Sequence, residues 1–198
     1  MPRAKKTEQE IEAMRERILD AALALLQREG PKGVSTRKIA DQMGVSHMLL
    51  YSYFENRAEI IRSLRERGFE EMEAFCAESL RRAEAGDALA QVRALLERFI
   101  QISHEHPMLY QLAWRRDPSL RADPQNMTMV LEHLSQLIQL CIERGQCAVR
   151  DPTLAATMVF SMVNGTLVLY HNLSAIWQTA QAKLETEMIE AAITYLTK

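Results

Sequence analysis

The chain has 198 residues, of which 47% are hydrophobic and 25% are charged, with 24 Lys and Arg against 26 Asp and Glu. This composition is typical of a globular protein and excludes collagen-like, low-complexity and wholly disordered chains. The formal charge of −2 gives no overall basic signature, so a nucleic-acid function has to rest on local charge and on a motif. The three cysteines show no CxxC spacing and no secretion signal precedes them, so we expect the reducing cytoplasm.

Almost every segment carries the apolar period of an amphipathic helix. The first helix has apolar residues every three or four positions from Ile11 to Leu25 and is predicted to end at Gly30-Pro31. Further helices are predicted at about 36–42, 46–54, 56–85 and 88–105, after Pro107, at about 125–144, from Pro152, and at about 179–196. No strand-like alternation or internal repeat appears, so the predicted fold class is all-α.

The expected organisation is a small N-terminal domain followed by a larger one. We predict a flexible basic arm at residues 1–9 and a three-helix helix-turn-helix domain at 10–56. Residues 57–198 would form a larger helical domain.

The stretch from Ser35 to Arg57, STRKIADQMGVSHMLLYSYFENR, carries the functional signal. Two short helices are joined by a tight turn at Gly44, where glycine can adopt a positive φ without steric cost. Ala40, four residues earlier, is small enough to let the second helix cross closely, and Leu50 is spaced to fill the gap between the helices. This is the helix-turn-helix spacing, in which the second helix enters the major groove of DNA.

Local charge supports this interpretation. Residues 1–57 hold ten Lys and Arg against eight Asp and Glu, whereas the other 141 residues hold 14 against 18. The chain is therefore a weakly basic head on an acidic body, which has the sign expected for DNA binding.

Residues 10–62 resemble the N-terminal domain of TetR-family transcription regulators. The resemblance rests on RERILDAALALLQREG, STRKIADQMGVS and LYSYFENRAEII, and the run from Leu50 to Arg57 is its most specific part. It implies that Thr36 and Arg37 open the helix that abuts the DNA backbone and that Arg57 meets a phosphate. It also implies a recognition helix that presents Ser46, His47, Met48, Tyr51, Ser52 and Tyr53. The sequence departs from the family at His47, which often aligns with Lys, and at Met48, which often aligns with a small residue.

Side-chain chemistry agrees with these roles. The hydroxyls of Thr36, Tyr51 and Tyr53 and the cation of Arg57 suit phosphate contacts, which position a protein without specifying sequence. His47 and Ser52 can hydrogen-bond base edges, and Met48 or Leu49 can touch a thymine methyl. Two alternatives stay open: Tyr51 and Tyr53 could pack within the domain, and the whole hairpin could belong to an interaction module that never meets DNA.

Residues 152–182 contain no Asp, Glu, Lys or Arg. Polar residues interrupt the segment, so a helix at a core or subunit interface is favoured over a membrane span. With the last helix it would form the interface of a homodimer. The candidate interface residues are Leu154, Met158, Met162, Gly165, Leu169, Leu173, Leu184, Met188 and Tyr195. A second stripe (Ala155, Val159, Val163, Thr166 and Tyr170) lies beside the first, and a monomeric core helix is the alternative.

The resemblance also implies an effector pocket between the fourth and eighth helices. The candidate lining residues mix aromatic, thioether and polar character: Phe75, Phe99, Tyr110, Trp114, Met127, His133, Met162 and Asn164. Asn164 is the strongest of them, because a buried amide needs a hydrogen-bond partner. The effector, of unknown identity, would be a small apolar or mixed-polarity molecule.

An enzyme is not expected. The sequence has no Gly-rich phosphate loop, no GxSxG and no metal-ligand spacing, so we predict no catalytic residue, metal or cofactor. The hypothesis is a cytoplasmic homodimeric repressor that binds a palindromic double-stranded DNA operator, contacts no membrane, and is relieved by a small-molecule effector. An activator or a partner-controlled regulator without an effector is the alternative within DNA binding.

Overall fold

The computed structural model describes residues 7–114, 125–172 and 181–198, and the regular elements within these ranges are all helical. The predicted all-α class is therefore confirmed. The helices are α1 (Glu8–Glu29), α2 (Thr36–Met43), α3 (His47–Leu50), α4 (Arg57–Ala85), α5 (Ala88–Glu105), α6 (Pro107–Trp114), α7 (Gln125–Glu143), α8 (Pro152–Asn172) and α9 (Gln181–Thr197). A 3-10 turn, Pro31–Gly33, lies between α1 and α2.

The chain divides into two compact units. Among the described residues, the first unit takes the chain up to Arg67 together with the end of α6, and the second takes Gly68–Gln111 with α7, α8 and α9. Helix α4 thus contributes residues to both units. The boundary between two domains was predicted at residue 57, which is the first residue of α4, whereas the two compact units meet after Arg67. The independence of the two domains stays a prediction.

In the first unit, local hydrogen bonds set where α1 begins and ends. Thr7 accepts from the backbone N–H of Glu10 while the Glu10 carboxylate accepts from the Thr7 N–H, which forms a capping box. The helix consequently begins at Glu8, inside the segment predicted as a flexible arm. Gly30, with φ of 71°, ends it as predicted.

The turn between α2 and α3 is left-handed. Gly44 has φ 65° and ψ 32°, as predicted, and the N–H of Val45 donates to the carbonyl of Ala40 at 3.0 Å. An added Cβ at Gly44 would meet no atom within 4 Å, so backbone conformation alone disfavours a larger residue there. Ser35 caps α2 and Ser46 caps α3 through their side-chain oxygens.

In the second unit, α7 packs most extensively on α8 and also on α5. Its core residues include Leu95, Leu134 and Val159, which are almost completely buried. The Arg144 guanidinium donates to three carbonyls at the end of α4, those of Ala83, Glu84 and Gly86. It thereby satisfies acceptors that a helix terminus leaves without intrahelical partners.

The two stripes of α8 have opposite environments. Ala155, Val159 and Val163 of the second stripe are buried within the unit, whereas Leu154 and Leu169 of the first stripe are 57% and 52% exposed. By length and composition alone, Pro152–His171 could cross a membrane, and 33% of its apolar window is buried within the chain. The helix therefore has one covered face and one open apolar face.

Candidate nucleic-acid interface

Several side chains of α2, of α3 and of the turn after α3 are exposed to solvent. Met48 is 75% exposed and Tyr51 is 46% exposed. Arg37, in the first turn of α2, is also exposed, and Thr36 beside it is half-buried. These residues were predicted to face DNA, and their exposure leaves them accessible to it.

His47 links the two helices of the motif. One imidazole nitrogen, Nε2, lies 2.7 Å from the hydroxyl oxygen of Thr36. The His47 ring also meets the Tyr51 ring edge to face, with centroids 5.0 Å apart and planes at 75°. The side chain is therefore held on both sides, by a hydrogen bond to α2 and by an aromatic contact to the turn after α3.

Helix α3 is shorter than predicted. It ends at Leu50, after which the N–H groups of Ser52 and Tyr53 donate to carbonyls three residues earlier, at 3.1 and 2.9 Å. The Ser52 hydroxyl donates to the carbonyl of Leu49 at 2.6 Å. This tighter hydrogen bonding replaces the last turn of the helix expected to reach residue 54.

Tyr53 differs from the other predicted contact residues because its side chain is only 8% exposed. It precedes Phe54, which is fully buried, and the Arg15 guanidinium lies 4.0 Å above the Phe54 ring. Arg15 also donates to the Tyr53 carbonyl and pairs with Glu59 at 3.3 Å. The burial of Tyr53 favours the packing alternative over a phosphate contact.

The Arg57 guanidinium, predicted to contact a phosphate, is hydrogen-bonded to two backbone carbonyls in the structure. Its Nε donates to the carbonyl of Val34 and its Nη2 to the carbonyl of Pro31, both at 2.7 Å. The guanidinium therefore joins the start of α4 to the loop before α2. Planar arginine is suited to such paired donation, because its donors are held in a fixed fork.

The second unit brings together three of the predicted effector residues, Phe99, Tyr110 and Asn164. The Tyr110 hydroxyl donates to the Asn164 side-chain oxygen at 2.7 Å, which supplies the partner expected for that amide. Phe99 meets Tyr110 edge to face with centroids 6.1 Å apart. Burial raises the pKa of the Tyr110 hydroxyl, so this group stays a neutral donor.

The other predicted effector residues are more dispersed. Phe75 lies half-buried on α4 and Met162 half-buried on α8, while His133 Nδ1 lies 2.8 Å from the carbonyl of Met129 on its own helix. The side chains of Trp114 and Met127 lie outside the described residues, as does Leu173 of the predicted dimer interface. Of the remaining interface residues, Leu184 and Tyr195 are half-buried and Met188 is buried.

Sequence reasoning missed the histidines beside this region. The His171 ring lies 4.8 Å from Tyr110 and 5.9 Å from His104, and the His104 Nε2 lies 2.7 Å from a Glu185 carboxylate oxygen. Burial, and secondarily the nearby His104, lower the pKa of His171. Its Nε2 is buried without a hydrogen-bond partner among the described residues. The sequence signal was a histidine at the end of a charge-free helix.

The second unit also contains a groove and a cluster of metal-ligating side chains. A groove of about 460 Å³ between α5 and α9 contains Arg93, His104 and Glu185, and it is lined by none of the predicted effector residues. Glu71, Glu105 and His106 place possible metal-ligating atoms within 4.8 Å of one another. Arg98 pairs with both of these carboxylates, which supplies the positive charge that a cation would otherwise provide.

The left-handed turn and the crossing of α2 and α3 define a helix-turn-helix head. Residues 18–64 match the family model of bacterial regulatory proteins of the tetR family, and residues 113–197 match the C-terminal domain of AefR-like transcriptional repressors. These matches together span about two thirds of the chain. The chain belongs to the TetR family of transcription regulators.

Individual relatives share between 20% and 34% sequence identity with this chain. An uncharacterized HTH-type transcriptional regulator of Xanthobacter autotrophicus is 34% identical over 88 residues, so the match spans 44% of this chain and 44% of that protein. The structure of SmeT, the repressor of the Stenotrophomonas maltophilia multidrug efflux pump SmeDEF, is similar with a TM-score of 0.74 and 21% identity, covering 95% and 92% of the two chains. Bacillus subtilis FadR in complex with stearoyl-CoA gives a TM-score of 0.69 and 20% identity, covering 91% and 98%. At these identities the structures show a shared fold.

Replacing Arg57 with alanine should destabilise the protein. The carbonyls of Pro31 and Val34 lose a charged donor, and a part-buried acceptor left unpaired costs ~1–3 kcal/mol. The free energy of unfolding in urea measures this, with Arg57→Lys as an intermediate control because lysine lacks the fork. An Arg57→Ala protein as stable as the wild type would contradict the structural role.

Acid should weaken the fold through His171. Since the pKa of His171 is lowered in the folded state, the unfolded chain binds a proton that the folded chain does not. The contribution of His171 to stability should therefore be constant above its ordinary pKa of 6.5, and stability should fall as the pH drops below this value. Urea unfolding between pH 8 and 5 measures this slope. His171→Gln should reduce the slope more than His133→Gln does, and equal slopes in the wild type and His171→Gln would exclude His171 as the cause.

Proposed function

We propose that this protein is a DNA-binding transcription regulator that acts as a homodimer, and more specifically a repressor relieved by a small molecule. The observation that carries the proposal is the helix-turn-helix head, in which Arg37, Met48 and Tyr51 are all exposed. The family assignment supports the same function.

Helix α2 is suited to the DNA backbone. Its first turn carries the hydroxyl of Thr36 and the exposed cation of Arg37. Lys38 pairs with Glu29 at 2.6 Å, so part of its charge is already neutralised. Phosphate contacts from these groups would position the head without reading sequence.

Dimerisation is supported by the open face of α8. Leu154, Met158 and Leu169 form an exposed apolar stripe on a helix whose opposite face is buried. A second copy of the same stripe would remove it from water across a two-fold axis. Two heads would then read half-sites roughly 34–36 Å apart, or a multiple of this distance, which requires a palindromic operator in cytoplasmic DNA.

Three of the comparisons support repression that is relieved by an effector. The C-terminal match is to a repressor domain, SmeT is named as a repressor, and FadR is seen with stearoyl-CoA. In this chain, Phe99, Tyr110 and Asn164 would contact a ligand with an apolar body and one hydrogen-bonding group. The effector needs only a higher affinity for a conformer that cannot engage both half-sites.

DNA binding should depend on Arg37. The protein should enrich particular duplexes from a random-sequence library, and its affinity for them should fall as the salt concentration rises. Arg37→Ala should weaken binding similarly for all sequences and reduce the salt slope by about one for each half-site, because one phosphate contact is lost. Fluorescence anisotropy across salt concentrations measures both quantities.

The matched control is Arg81→Ala, which removes an exposed arginine from the second unit. It should leave affinity and slope unchanged. Failure of the wild type to enrich or bind any duplex at low salt would refute DNA binding, and an unchanged slope in Arg37→Ala would remove this residue from the interface.

A charge on the open face of α8 should prevent dimerisation. Met158→Arg would place two like charges on either side of the two-fold axis in an apolar interface, where an unpaired charge is costly. Sedimentation should show a monomer that retains its helix content and binds palindromic DNA more weakly. Gln136→Arg, which adds the same charge to an exposed site on α7, should remain dimeric. A dimeric Met158→Arg protein would place the interface elsewhere.

A further inference from the structure

We propose that the head reads DNA sequence through thymine methyl groups, with Met48 as the specificity-determining residue and His47 as a positioning residue. The proposal rests on the DNA-binding function proposed above and deepens it. It names which feature of a base pair this recognition segment can recognise.

The first observation is what the segment lacks. Residues 45–54, VSHMLLYSYF, contain no Arg, Lys, Asn or Gln. Those four side chains make the bidentate hydrogen bonds that distinguish guanine and adenine in the major groove. The recognition segment therefore has none of the usual groups for reading purines.

The second observation is that Ser46, His47 and Ser52 each use one polar atom within the head. The Ser46 oxygen accepts from the N–H of Leu49 at 3.3 Å, and the Ser52 hydroxyl donates to the Leu49 carbonyl at 2.6 Å. His47 Nε2 is held by Thr36 at 2.7 Å. Each of these side chains can therefore offer a base only the hydrogen-bonding capacity that this internal bond leaves.

The third observation is what protrudes. Met48 is the most exposed large apolar residue among those the structure describes, at 75%, and Tyr51 follows three residues later at 46%. Residues three apart share a helix face, so these side chains stand together. His47, in edge contact with Tyr51, supports that face from the side.

These observations fit one base feature. The 5-methyl of thymine is the apolar group among the base edges of the major groove. A thioether on three rotatable bonds can adapt to it and remove it from water. Burying one methyl contributes about fourfold in affinity at each half-site, which is enough to bias sequence choice without any direct hydrogen bond.

The test replaces thymine with uracil, which removes the methyl and leaves the hydrogen-bonding pattern intact. The probe is the duplex that the wild-type protein enriches from a random-sequence library, remade with deoxyuridine at one thymine pair of each half-site in turn. At the contacted position, wild-type affinity should fall about fourfold for each methyl removed. Met48→Ala should bind the thymine and uracil duplexes equally.

Two variants separate reading from positioning. Leu49→Ala, on the neighbouring position of α3, should keep the preference for thymine over uracil. His47→Ala should reduce the preference for thymine over uracil without abolishing it, because the face that carries Met48 loses its support. An unchanged preference in His47→Ala would overturn its positioning role.

The outcomes are distinct. Equal wild-type affinity for thymine and uracil at every position would overturn the inference while leaving DNA binding intact. A preference that persists in Met48→Ala, or is lost in Leu49→Ala, would overturn the assignment to Met48. No bound duplex at all would instead refute the proposed function.

Discussion

A helix of four residues cannot keep its shape through its own hydrogen bonds, because nucleating a helix costs more free energy than so few bonds return. Helix α3 has this length, and its orientation is therefore imposed from outside. Leu50 and Phe54 are buried against the first unit, and Arg15 lies over the Phe54 ring. The buried residues behind the recognition segment therefore fix the direction in which its exposed side chains point.

The same dependence explains which parts of the head were predictable. The turn at Gly44 and the caps at Ser35 and Ser46 are local, so the residue types alone indicated them. The backbone contacts of Arg57 could not be predicted because its partners, the carbonyls of Val34 and Pro31, lie 23 and 26 residues away. A motif shows that an arginine is present at that position, but a hydrogen bond to distant backbone is visible only in the folded chain. For Tyr53 the sequence left contact and packing open, and burial favours packing.

In the second unit, chain periodicity identified α8 as apolar on a broad arc but could not rank its two stripes. The structure buries the stripe of smaller, mainly β-branched residues (Ala155, Val159, Val163), which lets neighbouring helices approach closely, and leaves Leu154 and Leu169 outside. The sequence predicted that a buried Asn164 amide would need a hydrogen-bond partner. It did not identify that partner, because Tyr110 lies 54 residues away. The histidines beside it were missed because aromatic contacts between helices have no sequence period.

Gly44 combines a positive φ with open space around its α-carbon. Its constraint is therefore one of handedness rather than of size. The turn requires a backbone region that is the mirror image of the one L-residues prefer, and glycine, the achiral residue, enters it without penalty. The relative placement of α2 and α3 therefore depends on a residue without a chiral centre at position 44.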